Sequence, residues 1–218
     1  MNTLKRMIPM PVRNRLRSIR KAVRYRYRRH QIIRAVTRET SLKLILGAAE
    51  TWQEGWYSTN EQWLDIARAD HWAAVFGGRR IISHAVAEHV FEHLTEDQAR
   101  AALALIAAHM VPGGRLRIAV PDGHYPDPEY IRRVGINGIG DDAEDHKQLL
   151  TVDSLSALMR GAGFTTIHVE GFEANGRLVT NRWDPADGWI RRSRQNPADT
   201  AWEHEGDSTS LIVDGVMP

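Results

Sequence analysis

Residues 84–122 read HAVAEHVFEHLTEDQARAALALIAAHMVPGGRLRIAVPD, and this stretch decides the architecture. It holds an apolar strand over 80–87 that runs into Glu88-His89, then a helix, the turn Pro112-Gly113-Gly114, and a second apolar strand over 115–120 that ends at Pro121-Asp122. Thr95 with Gln98 three residues on is a capping-box pattern and marks the helix start, with the helix running to about residue 111. Upstream, LKLIL at 42–46 is another strand, and it runs into the small-residue turn Gly47-Ala48-Ala49-Glu50. Together these imply an open α/β sheet with a ligand crevice along the carboxyl ends of its strands, a site for a nucleoside-bearing cofactor.

The rest of the chain is organised around that unit. Residues 56–59 read as a second strand, 63–66 as a short third, and 70–76 as a helix stopped by Gly77-Gly78. Residues 121–150 are rich in Gly, Pro and Asp and form a long functional loop. Thr151 or Asp153 caps a helix that ends at Gly161-Ala162-Gly163. Strands over 164–170 and 210–213 follow, and 172–207 is expected to be a mobile polar excursion. Near the N-terminus Val12, Leu16, Ile19, Val23 and Tyr27 fall at spacings of four, three, four and four, one apolar stripe on a helix otherwise covered by arginine.

Composition bounds the function. The 218 residues suit one domain with a substantial core. The absence of cysteine excludes disulfides, thiolate metal sites and a Cys nucleophile, and fits a reducing, cytoplasmic setting. There is no apolar run of about 18 residues to span a bilayer, and the N-terminus has no secretory h-region. The net charge of +2 hides a split: residues 1–38 hold 13 of the 29 Lys/Arg and no acid, so residues 39–218, with all 27 acids, carry −11. The expected organisation is a basic amphipathic arm, 1–38, joined to an acidic domain, 39–218.

The segments LILGAAETWQEGWYSTNEQWLDI, AEHVFEHLT, MVPGGRLRIAVPDGHYPDPEYI, AEDHK, AGF and SLIVDGVMP, in that order over 41–218, resemble class I methyltransferases that use S-adenosylmethionine (SAM). The nearest pattern is that of a group of predicted bacterial methyltransferases associated with surface-polysaccharide gene sets. The resemblance implies a Rossmann-like, seven-stranded, mostly parallel sheet with helices on both faces. It implies SAM as cofactor and methyl transfer to a small-molecule or glycan acceptor, a sugar hydroxyl by family association. The chain departs from the pattern at Ala49, where a glycine is usual, and at Asn60, where an acid is usual.

The same resemblance assigns roles. Gly47, Ala48, Ala49 and Glu50 would border the amino-acid moiety of SAM, since a Cβ at position 47 would block the approach or force an unfavourable turn. Asn60 stands where an acid accepts both ribose hydroxyls. An amide offers one acceptor oxygen and two donors, with Glu61 adjacent to help. Asp65 would accept from the adenine amino group, or else cap the helix that follows. Glu88 and His89 would lie near the methionine moiety and the acceptor. The loop beyond the fifth strand would face the transferring methyl, with His124 or His146 as base and Asp122 or Asp145 orienting it. The plainer reading of these four is turn chemistry. Of the seven tryptophans (52, 56, 63, 72, 183, 189 and 202), Trp183 and Trp189 are the better sugar-stacking faces, and the rest read as packing.

No metal is expected. The run H-V-F-E-H at 89–93 spells an inverted zinc-peptidase motif, but that motif needs both histidines on one helix, and His89 falls at a strand end. The basic arm admits three readings: contact with an anionic membrane at the inner face, packing on the domain or a protein partner, and contact with nucleic-acid phosphates. The apolar stripe argues against the last. Two functional alternatives remain beside the enzyme: a catalytically weakened scaffold at a membrane or in a complex, with Ala49 and Asn60 as marks of decay, and a nucleic-acid methyltransferase.

Overall fold

The computed structural model describes residues 10–49, 51–140, 143–195 and 210–218. Helix α1 (Met10–Arg38) is the expected amphipathic helix. Four residues of its stripe face solvent: Leu16, Ile19, Val23 and Tyr27 are 42–62% exposed, while the Val12 side chain lies outside the described ones. A different face, Tyr25, Ile32, Ala35 and Val36, is buried and anchors the C-terminal half of the helix to the domain.

Seven strands form one sheet: β1 (Leu42–Leu46), β2 (Tyr57–Ser58), β3 (Ile82–Glu88), β4 (Met110–Pro121), β5 (Thr165–Phe172), β6 (Leu178–Thr180) and β7 (Ser210–Val216). Their order is β2-β1-β3-β4-β7-β5-β6. Neighbours from β2 to β4 are parallel, while β7 is antiparallel to both β4 and β5, and β6 is antiparallel to β5. This is the seven-stranded Rossmann-like sheet that the resemblance implies, with three parallel and three antiparallel pairings. The seventh strand is β6, a hairpin partner of β5, and not the segment 63–66. That segment folds into turns instead, with the Trp63 and Leu64 amides donating to the Asn60 carbonyl. The Pro112-Gly113-Gly114 turn lies inside β4, at the point where the pairing with β3 slips between Ile82 and His84. The Gly113 amide donates to the Met217 carbonyl, so the bulge is tied to the end of β7.

Helices α2 (Ala69–Phe76), α3 (Glu96–His109) and α5 (Val152–Gly161) cover one face, over a core that takes Leu42, Leu44 and Leu46 from β1, Ala85 and Ala87 from β3, and Leu116, Ile118 and Val120 from β4. Both anticipated caps are present: Thr95 pairs with Gln98, and Thr151, not Asp153, pairs with Ser154. Residues 121–150 are less irregular than expected, because Asp127 caps a short helix, α4 (Pro128–Val134), with Pro128 in its first turn.

The opposite face is closed by residues 183–195 of the expected excursion, whose residues 196–207 lie outside the described ones. Ile190, Trp56 and Trp183 cover Ile45, Val86, Ala119, Val169 and Ile212. Residues 183–195 therefore form a docked strap and not a mobile loop. The reason is polar: strand side chains on this face satisfy the strap's backbone. Arg117 Nη1 donates to the Gly188 and Asp184 carbonyls (2.5 and 3.1 Å), and Lys43 Nζ to the Ala186 carbonyl (2.9 Å). The Glu88 carboxylate accepts from the Arg191 and Arg192 amides (3.1 and 2.7 Å), and Glu170 accepts from the Arg194 amide and the Ser193 hydroxyl (2.9 and 2.7 Å).

Candidate active site

The small-residue turn lies where the sequence places it, at the carboxyl end of β1. Gly47 has φ +61°, a left-handed conformation that glycine adopts without strain, and a Cβ there would meet Val90 Cγ2 at 2.6 Å. The close approach glycine permits is thus made by Val90, from the turn after β3. The Ala48 amide donates to the Thr59 carbonyl (2.9 Å), which joins the ends of β1 and β2. Ala49 also takes a positive φ, +42°, and its carbonyl accepts from Arg28 Nη1 at 3.2 Å. An arginine of the basic helix therefore reaches the rim of the turn, a contact no local sequence signal announces. Glu50, like Trp202, lies outside the described residues.

Asn60 follows β2 and is buried, 6% exposed. Its Oδ1 accepts from the Gln62 amide (3.0 Å), while its Nδ2, and the hydroxyl of the neighbouring Thr59, are buried without a partner. Buried donors of this kind are costly unless a ligand completes them. Glu61 is exposed. Asp65 Oδ1 accepts from the Ala67 amide (3.0 Å) and closes a turn; α2 begins four residues after Asp65 without a side-chain cap.

At the end of β3 both Glu88 oxygens hold the strap, so Glu88 acts as an anchor at the rim. His89 has φ +53°; its Nδ1 lies 3.0 Å from Glu92 Oε1 and its Nε2 3.0 Å from the Ser210 hydroxyl.

The residues beyond β4 pair differently from the sequence expectation. Asp122 is fully buried. Its two oxygens accept from the backbone amides of His124 (2.9 Å) and Phe172 (2.6 Å), and not from an imidazole. Burial pushes its carboxyl above the usual range, against those two amides. The His124 Nε2 is buried without a hydrogen bond, 3.7 Å from Asp153 Oδ2. Asp145 pairs with His93 (2.8 Å), and His146 Nδ1 with the Val134 carbonyl (2.8 Å). The structure thus holds Asp122 against the backbone of His124 and sets His146 apart, bonded to the carbonyl end of α4. His93, which the sequence reading left without a role, joins Asp145 and His146. Trp183 stacks under the Arg117 guanidinium at 4.7 Å, which makes it a packing residue of the strap.

Residues 28–169 match the model of a family described as a methyltransferase domain. The chain belongs to that family. The match begins inside α1 and runs through β1 to β5. No curated protein matches the methyltransferase chain. Among solved structures it is similar to SAM-dependent methyltransferases from Archaeoglobus fulgidus (12% identity, 86% of this chain and 94% of that one, TM-score 0.48), Thermotoga maritima (10%, 93% and 97%, 0.46) and Mesorhizobium loti (13%, 84% and 95%, 0.45).

Proposed function

We propose that this methyltransferase uses SAM to methylate a hydroxyl of a small-molecule or glycan acceptor. The observation that carries the cofactor reading is the pair of unpartnered buried donors, Asn60 Nδ2 and the Thr59 hydroxyl, beside the left-handed Gly47 turn. They fit a ligand that brings hydroxyl oxygens to the end of β2, as an adenosyl ribose does. When bound, SAM supplies a methyl on a sulfonium whose positive charge makes it labile to in-line attack. The residues do the rest. Gly47–Ala49 and Asn60 orient the cofactor, with Asp65 and His89 bordering it. His124 takes the acceptor's proton through its unpartnered Nε2, and Asp122 holds the His124 backbone in place.

Calorimetry tests the reading. The full chain should bind SAM in the micromolar range, and no heat at millimolar SAM would leave only a scaffold. Asn60→Asp should tighten SAM by about tenfold. A carboxylate accepts from both ribose hydroxyls and still takes the Gln62 amide, while part of the charge-assisted gain is offset by burying the ion. Unchanged or weaker affinity would show that the amide is the better partner here.

The solvent-facing stripe of α1 supports a second role for the basic helix, docking on an anionic membrane surface. Among the described residues no helix is long and apolar enough to cross a membrane. Leu16, Ile19, Val23 and Tyr27 would enter the headgroup region, and the arginines around them would each add about 1 kcal/mol. Flotation with anionic liposomes should carry the full chain and lose it on deletion of residues 1–27. Equal flotation of both chains, or of the full chain with neutral liposomes, would dismiss the membrane role.

A further inference from the structure

Beyond β3, three side chains that the proposed reaction does not use converge between the 3₁₀ turn Phe91–His93 and the loop ending at Asp145-His146. One ligand atom of each of Glu92, His93 and His146 lies within 4.8 Å of those of the other two. Glu92 is 1% exposed, and neither of its carboxylate oxygens has a hydrogen-bond partner of good geometry. Its ionic neighbour is His89, whose Nδ1 lies 3.0 Å from Oε1. A buried carboxylate in this condition is expensive unless a cation completes it.

Both histidines are arranged as ligands are. A carbonyl oxygen only accepts, so His146 Nδ1, 2.8 Å from the Val134 carbonyl, carries the proton, and its Nε2 keeps the lone pair. His93 Nδ1 donates in the same way to Asp145 Oδ1 at 2.8 Å. These are the carbonyl–His and carboxylate–His pairs that fix tautomer and ring orientation around bound metal ions. The two rings meet edge to face with centroids 4.7 Å apart. The segments are already clamped together: the Lys147 and Gln148 amides donate to the Glu92 carbonyl (2.8 and 3.2 Å), and Gln148 Nε2 to the Leu94 carbonyl (2.8 Å).

We propose that Glu92, His93 and His146 form a binding site for a divalent transition cation of the Zn²⁺ type, with two imidazole nitrogens, one carboxylate and water in the remaining position. Bonds of about 2.0–2.2 Å in a tetrahedron put ligand atoms roughly 3.3–3.5 Å apart, so small side-chain rotations close the set. Oxygen-only cations such as Mg²⁺ do not suit two imidazoles. The H-x-x-E-H run at 89–93 contributes its last two residues, and its first, His89, braces the carboxylate from the strand end. The ion would staple the 143–148 loop to the turn after β3. Nothing in this site depends on the SAM reading.

The test uses the full chain, stripped with a chelator, dialysed and titrated with Zn²⁺ and separately with Co²⁺, both without SAM. One ion per chain is expected, with a visible d–d band for Co²⁺ and a rise in melting temperature with Zn²⁺. Glu92→Gln and His146→Ala should abolish the band. Asp145→Asn, at an exposed residue, should weaken Zn²⁺ by about 10–100-fold without unfolding the chain. His30→Ala, on the exposed helix, should change nothing. Absence of binding at about 100-fold the micromolar affinity expected of such a site, or equal binding by the parent and the Asp145→Asn and His146→Ala chains, would overturn the proposal. Zn²⁺ binding by a chain that ignores SAM would sink only the cofactor reading.

Discussion

His124→Ala is expected to lower kcat by about 10²–10⁴-fold, the usual contribution of a positioned general base, while SAM affinity and melting temperature stay close to the parent. The measurement is formation of the demethylated cofactor from SAM with a panel of hydroxyl-bearing sugars, using whichever acceptor the parent turns over. The argument rests on what holds each part of the residue. Its backbone amide is fixed by Asp122 Oδ1 at 2.9 Å, and Asp122 is in turn fixed by the Phe172 amide, so the loop cannot swing away from the end of β4. Its Nε2 has no hydrogen-bond partner, and the nearest carboxylate oxygen, on Asp153, is 3.7 Å away. A ring with a fixed origin and an unused nitrogen can accept an acceptor's proton; a ring already paired would first have to lose its partner. Removing the imidazole leaves the two backbone-amide hydrogen bonds to the Asp122 carboxylate in place, so the loop should survive. A fall of less than about threefold would remove His124 from the proton path, since a general base rarely contributes so little.

The parts of this fold that were legible in the sequence are those whose signal is local. LKLIL at 42–46 is buried at four of its five positions, the Thr95–Gln98 capping box forms as written, and of the two caps offered for the later helix Thr151 is the one used. The Gly47 turn could be placed because an apolar strand runs straight into consecutive small residues and the other segments follow it in order. Residues 63–66 show where such signals mislead. Leu64 and Ile66 are buried in the main core, so the alternation reported burial correctly. The Leu64 amide donates to the Asn60 carbonyl and the Ile66 carbonyl accepts from Trp72 Nε1, and no strand results. The strap at 183–195 carried no periodic signal because its burial is largely polar. Arg117, Glu88 and Glu170 alternate with apolar residues along their strands, which reads as one wet face; in the structure that face is where the strap's carbonyls and amides find their partners. The site pairings were illegible for a similar reason. Asp145 meets His93 across 52 residues, and only the docking of the loop on the Glu92 carbonyl brings them together.

Asp214→Ala should cost about 3–5 kcal/mol, the range for breaking a buried ion pair, against a total stability of about 5–15 kcal/mol for a domain. For a chain of this length each kcal/mol moves the melting temperature by roughly 2–4 °C, so a large fall, or no cooperative transition, is expected. Arg117 has no exposed surface, and its Nε and Nη2 both donate to the Asp214 carboxylate at 2.7 Å. Without that carboxylate the guanidinium keeps the two strap carbonyls and the Trp183 ring, none of which is a charge. The converse, Arg117→Ala, should cost less than Asp214→Ala, because Arg115 Nη1 already lies 3.6 Å from Asp214 Oδ2 and can take over the buried anion. Arg117→Met with Asp214→Leu removes both charges and should recover most of the loss in the sheet, as apolar replacement of buried pairs often does. It cannot restore the bonds to the Gly188 and Asp184 carbonyls. The doubly substituted chain should therefore melt near the parent yet be cut by protease within 183–195 at a rate the parent resists. Equal melting of Asp214→Ala and parent, or a double variant whose strap stays protected, would mean that the strap is held by its apolar residues, Ile190 and Trp183, and that the ion pair beneath it is incidental.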